Sequence, residues 1–130
     1  MNIFSNLLFA QTHEWIKRGD DSLYWVGISN HAQEALGDIL FLKLPDIGSC
    51  LKQGQACATI ESLKAASDIH APISGVVAEI NAVATENPES INTQPYHVWL
   101  FKIQANDEKI FLNELGLLQS ASQYESGISN

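Results

Sequence analysis

One lysine in this chain is set as a reactive handle would be. In "IESLKAASDIHAPISG", residues 60–75, Lys64 closes an alternating run and is followed by Ala65, Ala66 and Ser67. Thr59, Glu61 and Leu63 alternate with Ile60 and Ser62, which predicts a strand ending at the lysine. The small residues then begin a return strand, so Lys64 falls at a hairpin tip. An ammonium there has nothing to shield it. It can lose its proton inside another enzyme's site and attack an acyl group. Glu61 stands three residues before Lys64, and Gly75, read as a tight-turn glycine, eleven after. Such a hairpin is rigid enough to be recognised by shape. Gly75 is expected to need backbone freedom, with Asn tolerated in part. The plain alternative for Lys64 is a solvated turn lysine, which is what most exposed lysines are.

No other chemistry competes with the lysine. The histidines His13, His31, His70 and His97 are scattered without metal-ligand spacing. Cys50 and Cys57 lack CxxC spacing and read as reduced, partly buried thiols. No nucleophile–base pair or phosphate loop is visible. The formal net charge of −8 would repel a phosphate backbone, which argues against nucleic acid as a partner. "MNIFSNLLFA" is apolar but too short for a membrane span or signal peptide, and reads as a first strand or docked arm. A soluble, monomeric, cytoplasmic protein of a bacterium is expected, with no membrane partner.

The elements that must position the lysine follow from pattern. With 130 residues, 45% of them hydrophobic, the chain fits one domain, expected over residues 1–120, with a polar, frayed tail over 121–130 that holds at most a short turn of helix around Tyr124. "HEWIKR" and "SLYWVGIS" read as a hairpin around Gly19-Asp20-Asp21. "SNHAQEALG" predicts a short helix capped by Ser29 or Asn30 and ended by Gly37. "DILFLKLPDIG", "ACATIES", "GVVAEINAV" and "HVWLFKI" read as strands, with "LKQGQ" a turn, "TENPESINTQPY" a polar loop and "HVWLFKI" the final strand. "NDEKIFLNELG" predicts a helix capped by Asn106 or Asp107. Residues 37–62 and 74–103 each read strand, loop, strand, a weak internal echo with the lysine hairpin between them. A mainly β flattened sandwich or barrel with two or three short peripheral helices is the economical architecture.

Taken together, "THEWIK", "VGISNHAQEALGDILFLKLPDIG", "ESLKAASDIHAPISG" and "SINTQPY" resemble the H protein of the glycine cleavage system, in order from about Phe9 to about Leu115. Biotin carriers place Met on both sides of their lysine, and the lipoyl domains of 2-oxo acid dehydrogenases usually have "DKA". Here the tripeptide is Leu63-Lys64-Ala65. The short Gly-containing insert that members commonly carry before the last-strand Trp is missing ahead of Trp99, and the stretch before "HEW" is more apolar than usual.

The resemblance implies a lipoyl/biotinyl-type sandwich (a barrel-sandwich hybrid) of two antiparallel sheets related by a pseudo-two-fold. It implies lipoic acid in amide linkage to Lys64, with Glu61 and Gly75 helping the lipoylating enzyme recognise the site. It further implies a shuttle rather than an enzyme. A glycine decarboxylase (P-protein) would load an aminomethyl group on the arm, an aminomethyltransferase (T-protein) would take the methylene, and dihydrolipoamide dehydrogenase (L-protein) would reoxidise the dithiol. A cationic, fragile cargo calls for a docking groove. The residues expected there are Glu14, Thr12, Asp68 and His31, against the ordinary readings of strand-end acids, a turn threonine and a first-turn helix residue. The rival functions are a lipoyl relay to other lipoyl domains, an unmodified binding module, and, last, an enzyme in its own right.

Overall fold

Apolar alternation pairs the strands into two antiparallel sheets. The computed structural model describes residues 6–129. The elements in order are β1 (Leu8–Phe9), β2 (Glu14–Arg18), β3 (Tyr24–Ile28), α1 (Asn30–Leu36), β4 (Ile39–Lys43), β5 (Cys50–Leu51), β6 (Ala56–Ser62), β7 (Ala66–His70), β8 (Gly75–Ile80), α2 (Ala82–Glu86), α3 (Glu89–Thr93), β9 (Phe101–Gln104), α4 (Glu108–Leu115), β10 (Gln119–Ser120) and α5 (Ala121–Ser129). One sheet has seven strands in the order β10-β1-β2-β3-β9-β8-β5, the other three in the order β4-β6-β7. The expected mainly β, two-sheet architecture is present, and the barrel is not closed. The two echoing units lie in different sheets: β4 pairs with β6 in one, β8 with β9 in the other.

The inward residues of both sheets form one core. Ile16, Val26, Phe101 and Ile103 of the larger sheet pack in the same cluster as Ile39, Leu42, Ile60 and Ile69 of the smaller. Burying each such side chain contributes about 1.5–3 kcal/mol, so this cluster dominates folding. Cys50 and Cys57 are both free thiols, as expected, but only Cys57 is partly buried; Cys50 is exposed. Among the described residues no helix is long and apolar enough to cross a membrane.

Helix α1 forms as its caps dictate. The Ser29 hydroxyl accepts the Ala32 N–H at 3.1 Å, and the Gly37 N–H closes the last turn on the Gln33 carbonyl. Asp107 caps α4 by accepting the Ile110 N–H at 3.1 Å. Buried Glu114 then fastens α4 to the turn before β8, accepting the Ser74 N–H at 2.7 Å and its hydroxyl at 2.5 Å.

Several elements differ from expectation. The described residues hold five helices rather than two or three. The expected strand "GVVAEINAV" stops at Ile80, because the Asn81 side chain accepts the Ala84 N–H at 3.2 Å and starts α2. The expected polar loop contains α3, which begins after Pro88 and buries Ile91. Asn92 in that helix bonds Gly37 and Ile39 on either side of the α1–β4 turn and Gln33 of α1, and the Pro95 carbonyl beyond it accepts the buried Trp15 indole N–H at 3.0 Å. The strand expected last is followed by β10, which pairs with β1. Of the expected opening strand or arm, residues 1–5 lie outside the described residues, and Leu8–Phe9 form β1.

The tail is the largest correction. Residues 121–129 form α5 instead of fraying. Tyr124, 3% exposed, stacks on Phe9 with ring centres 4.3 Å apart, and Leu7, Trp15 and Ala121 complete this second cluster. Its hydroxyl lies 2.7 Å from Ser29 Oγ and 2.6 Å from His13 Nδ1. One aromatic ring with a partnered hydroxyl is what an otherwise polar segment needs to dock. Tyr124→Ala should therefore lower the unfolding free energy by about 3 kcal/mol or more, and Tyr124→Phe by about 1 kcal/mol. Urea denaturation measures both; a Tyr124→Ala loss below about 1 kcal/mol would mean that α5 is not docked in solution.

Candidate functional site

The lysine sits where the pattern puts it, on a hairpin whose turn is locked by one serine. Strands β6 and β7 pair with Glu61 opposite Ala66 and Ile60 opposite Ser67. The Ser62 N–H donates to the Ala65 carbonyl at 2.8 Å, and Ser62 Oγ accepts the Ala65 N–H at 3.1 Å. Lys64 is exposed and its ammonium makes no ion pair with any described residue. Beside it Leu63 is 74% exposed, and the Leu63 N–H donates to the Asp38 carbonyl at 3.3 Å.

Cross-strand pairing places Glu61 and Asp68 on the outer face of the small sheet. Ala58, Ile60 and Ile69 point into the core, so Cys57, Thr59 and Glu61 point out. Asp68 is opposite Thr59, and Phe41 is opposite Glu61. Residues opposite one another share a face. Phe41 remains 64% exposed beside Glu61. Nearer the base, Lys43, Cys57, Thr59 and Asp68 line a shallow groove of about 250 Å³.

Glu14 is not a solvated strand-end acid. It opens β2 in the larger sheet, is 1% exposed, and reaches across to β7 of the smaller one. Its Oε2 accepts the His70 backbone N–H at 2.8 Å and lies 3.4 Å from His70 Nδ1. Oε1 accepts the hydroxyl of Thr12, itself exposed. Burial raises the Glu14 pKa above its ordinary value, and the bonds from Thr12 and His70 oppose that rise. Nearby, burial and then the Glu14 charge push the Cys57 thiol up to about 12.

The expected site residues therefore separate into groups. Thr12 and Glu14 are bonded to each other at the base of β7. Asp68 lies two residues from His70 toward the tip. His31 instead faces His13, with ring centres 4.6 Å apart, and shares a cavity wall with Tyr124. Gly75 is not a turn glycine. It is buried at the start of β8, opposite Leu51, and a Cβ there would run into the Gln104 carbonyl and lie 2.6 Å from Ile103 Cγ2. Gly75 needs backbone freedom as expected, with φ 156°, but at the start of a strand rather than in a turn, and close packing against β9 adds to that need, so Asn does not fit. His70 and Cys57 were missed, although period-two alternation from Asp68 and Glu61 points at both. Asn92 had no chemical signal in the sequence beyond its place in "SINTQPY".

A two-sheet β fold that lifts a lysine on a hairpin tip has the form of a carrier domain. The family description "Glycine cleavage H-protein" matches residues 7–130. The chain is similar to the glycine cleavage system H protein of Polynucleobacter necessarius, 55% identical over 103 residues, 79% of this chain and 69% of that one. The corresponding protein of Cronobacter sakazakii is 44% identical over 126 residues, 96% of this chain and 95% of its own. A crystal structure of a glycine cleavage system H protein from Mycobacterium marinum superposes with a TM-score of 0.84 at 35% identity, covering 97% of this chain and 98% of that one. The chain belongs to the glycine cleavage H-protein family, the lipoyl-carrying shuttles of the glycine cleavage system.

Two predictions follow from the packing. Gly75→Asn should cost about 1–3 kcal/mol of stability by overpacking β8 against β9, read by urea denaturation; wild-type stability would refute the packing argument. Glu14 carries a linkage of definite sign. Its folded-state pKa is raised, so the folded protein holds the proton more tightly. Stability attributable to this group is full below its ordinary 4.5 and declines as pH rises through the folded value. Wild type should thus lose stability relative to Glu14→Gln as pH climbs from 4 to 7. A difference that is flat, or grows the other way, would show that the hydrogen bonds outweigh burial.

Proposed function

We propose that Lys64 carries lipoic acid in amide linkage and that the protein acts as a covalent carrier between the enzymes of the glycine cleavage system. The observation that carries this reading is an exposed, unpaired lysine at the tip of a locked hairpin in a chain of this family. The site suits the group: Ala65 and Ala66 leave the amine unobstructed, and a groove with an acid on its wall lies down the same face. When bound, lipoate supplies a disulfide that accepts two electrons and a thiol that holds the transferred carbon. The chain itself keeps the attachment point exposed, so that a tethered cargo meets glycine decarboxylase, aminomethyltransferase and dihydrolipoamide dehydrogenase at high effective concentration.

The remaining residues take supporting roles. Glu61, exposed on the outer face with Phe41 beside it, offers the lipoylating enzyme a carboxylate and an apolar contact. Asp68 gives the face a negative charge suited to a cationic cargo, and Glu14, buried at the hairpin base and bonded to Thr12 and His70, adds its charge from behind that face. A partly exposed pair between Asp68 and such a cargo contributes about 0.2–1 kcal/mol. Gly75 serves recognition only by keeping β8, and through it the hairpin base, in place.

Incubation with a lipoate ligase, ATP and lipoate, followed by intact mass, tests the reading. Wild type should gain one lipoyl group and Lys64→Ala none. Glu61→Ala should be modified more slowly at limiting enzyme, and the surface variant Lys109→Ala at the normal rate. A modified Lys64→Ala protein, or a wild type that no competent ligase or transferase modifies, would overturn it.

A further inference from the structure

The Lys64 stem does not stand free; it lies across a glycine. A Cβ built on Gly37 would be 2.9 Å from Lys64 Cε and 3.8 Å from Nζ. The next residue, Asp38, receives the Leu63 N–H at its carbonyl, so the hairpin tip and the end of α1 touch at two adjacent points. Gly37 has φ 77 and ψ −157, a backbone region open essentially to glycine alone. The turn is held from the other side by Asn92 of α3. Its amide nitrogen donates to the Gly37 carbonyl and to Gln33 Oε1, both at 2.9 Å, and its oxygen accepts the Ile39 N–H at 3.0 Å. Two of the four bonds that an Asn side chain can make hold the two sides of this turn, and a third ties it to Gln33 of α1.

We propose that the Gly37–Asp38 turn, pinned by Asn92, is the seat that sets the direction of the Lys64 side chain, and that Gly37 and Asn92 are positioning residues for the modification of that lysine. The inference rests on the reading of Lys64 as the modified residue. Its physical content is steric. A methyl group on Gly37 strains a turn backbone that only glycine adopts and also meets the lysine stem, which is flexible and swings away. The amine then stays exposed but leaves the direction in which the tip presents it. An enzyme that transfers an acyl group needs its nucleophile in line, and a displacement on the order of 1 Å is enough to slow the transfer greatly.

The test has a structural and a kinetic arm. In the unmodified protein, an NMR cross-peak between Gly37 Hα and Lys64 Hε is expected, and its absence overturns the seat. In steady-state lipoylation by a lipoate ligase, with the carrier as varied substrate, Gly37→Ala should lower kcat about tenfold or more and leave KM within about twofold. Acetylation of Lys64 by a small N-hydroxysuccinimide ester should proceed at the wild-type rate, since the amine remains exposed. Asn92→Asp keeps the acceptor for Ile39 and loses both donors; it should fall between wild type and Gly37→Ala. If Gly37→Ala does not fold, Asn92→Asp carries the test alone, and a wild-type kcat there overturns the proposal. A modified wild type with an equally fast Gly37→Ala refutes the seat while leaving the Lys64 reading intact. A wild type that takes up no lipoyl group refutes that reading instead.

Discussion

A buried carboxylate joins the two sheets, and the lysine hairpin hangs from that joint. Strand β7 is an edge strand, paired only with β6. The N–H groups on its free side lack a strand partner, which is costly when they are not exposed to water. Glu14, from the other sheet, takes the one at His70. The carboxylate pays for its burial with a raised pKa, and Thr12 and His70 return part of that as hydrogen bonds. The arrangement holds the base of the hairpin without covering its outer face, which a further strand would have done.

The tip is held by a different device, and one short helix connects the two. Helix α1 begins just after Ile28, the residue opposite Glu14, and ends at Gly37, on which the Lys64 stem rests. Its seven residues span about 10 Å. From Ala66 to His70, β7 spans about 13 Å. Helix and strand therefore run between the same two anchors at similar length. A hairpin fixed at both ends can present a lysine with little loss of order, although Lys64 makes no ion pair among the described residues.

What the sequence made legible was what periodicity and caps encode. The hairpin around Lys64, the limits of β6, the Ser29 and Gly37 ends of α1 and the Asp107 cap of α4 are local signals, and local signals survive in the fold. Most of the misses are long-range, and the rest are local helix starts hidden under a competing pattern. Asn81 and Pro88 start helices in a stretch that reads as the end of a strand and a polar loop, and Ile91 earns α3 its place only by reaching the core. Tyr124 docks α5 through Phe9, Ser29 and His13, distant in sequence. Gly75 looks like a turn glycine until β9 is seen against it. The same limit divides the expected groove: Thr12, in the turn before β2, meets Glu14 at the strand's first position, whereas His31, on the first turn of α1, faces His13. No spacing rule separates those outcomes.

Cys57 shows how the same carboxylate shapes chemistry it does not perform. The thiol lies beside the hairpin and donates to the Ile69 carbonyl at 3.5 Å. If Lys64 carries lipoate as proposed, a reactive thiol on the same hairpin would compete with the arm's chemistry, because a thiolate can open a disulfide and trap it as a mixed species. Only the thiolate does this, and with its pKa pushed up to about 12 the thiolate fraction at neutral pH is on the order of one in 10⁵. Burial is the larger cause of that shift and the Glu14 charge the smaller. Neutralising Glu14 would thus leave the thiol protonated. Its inertness comes from packing in the small sheet, and the carboxylate adds to a protection that the fold already provides.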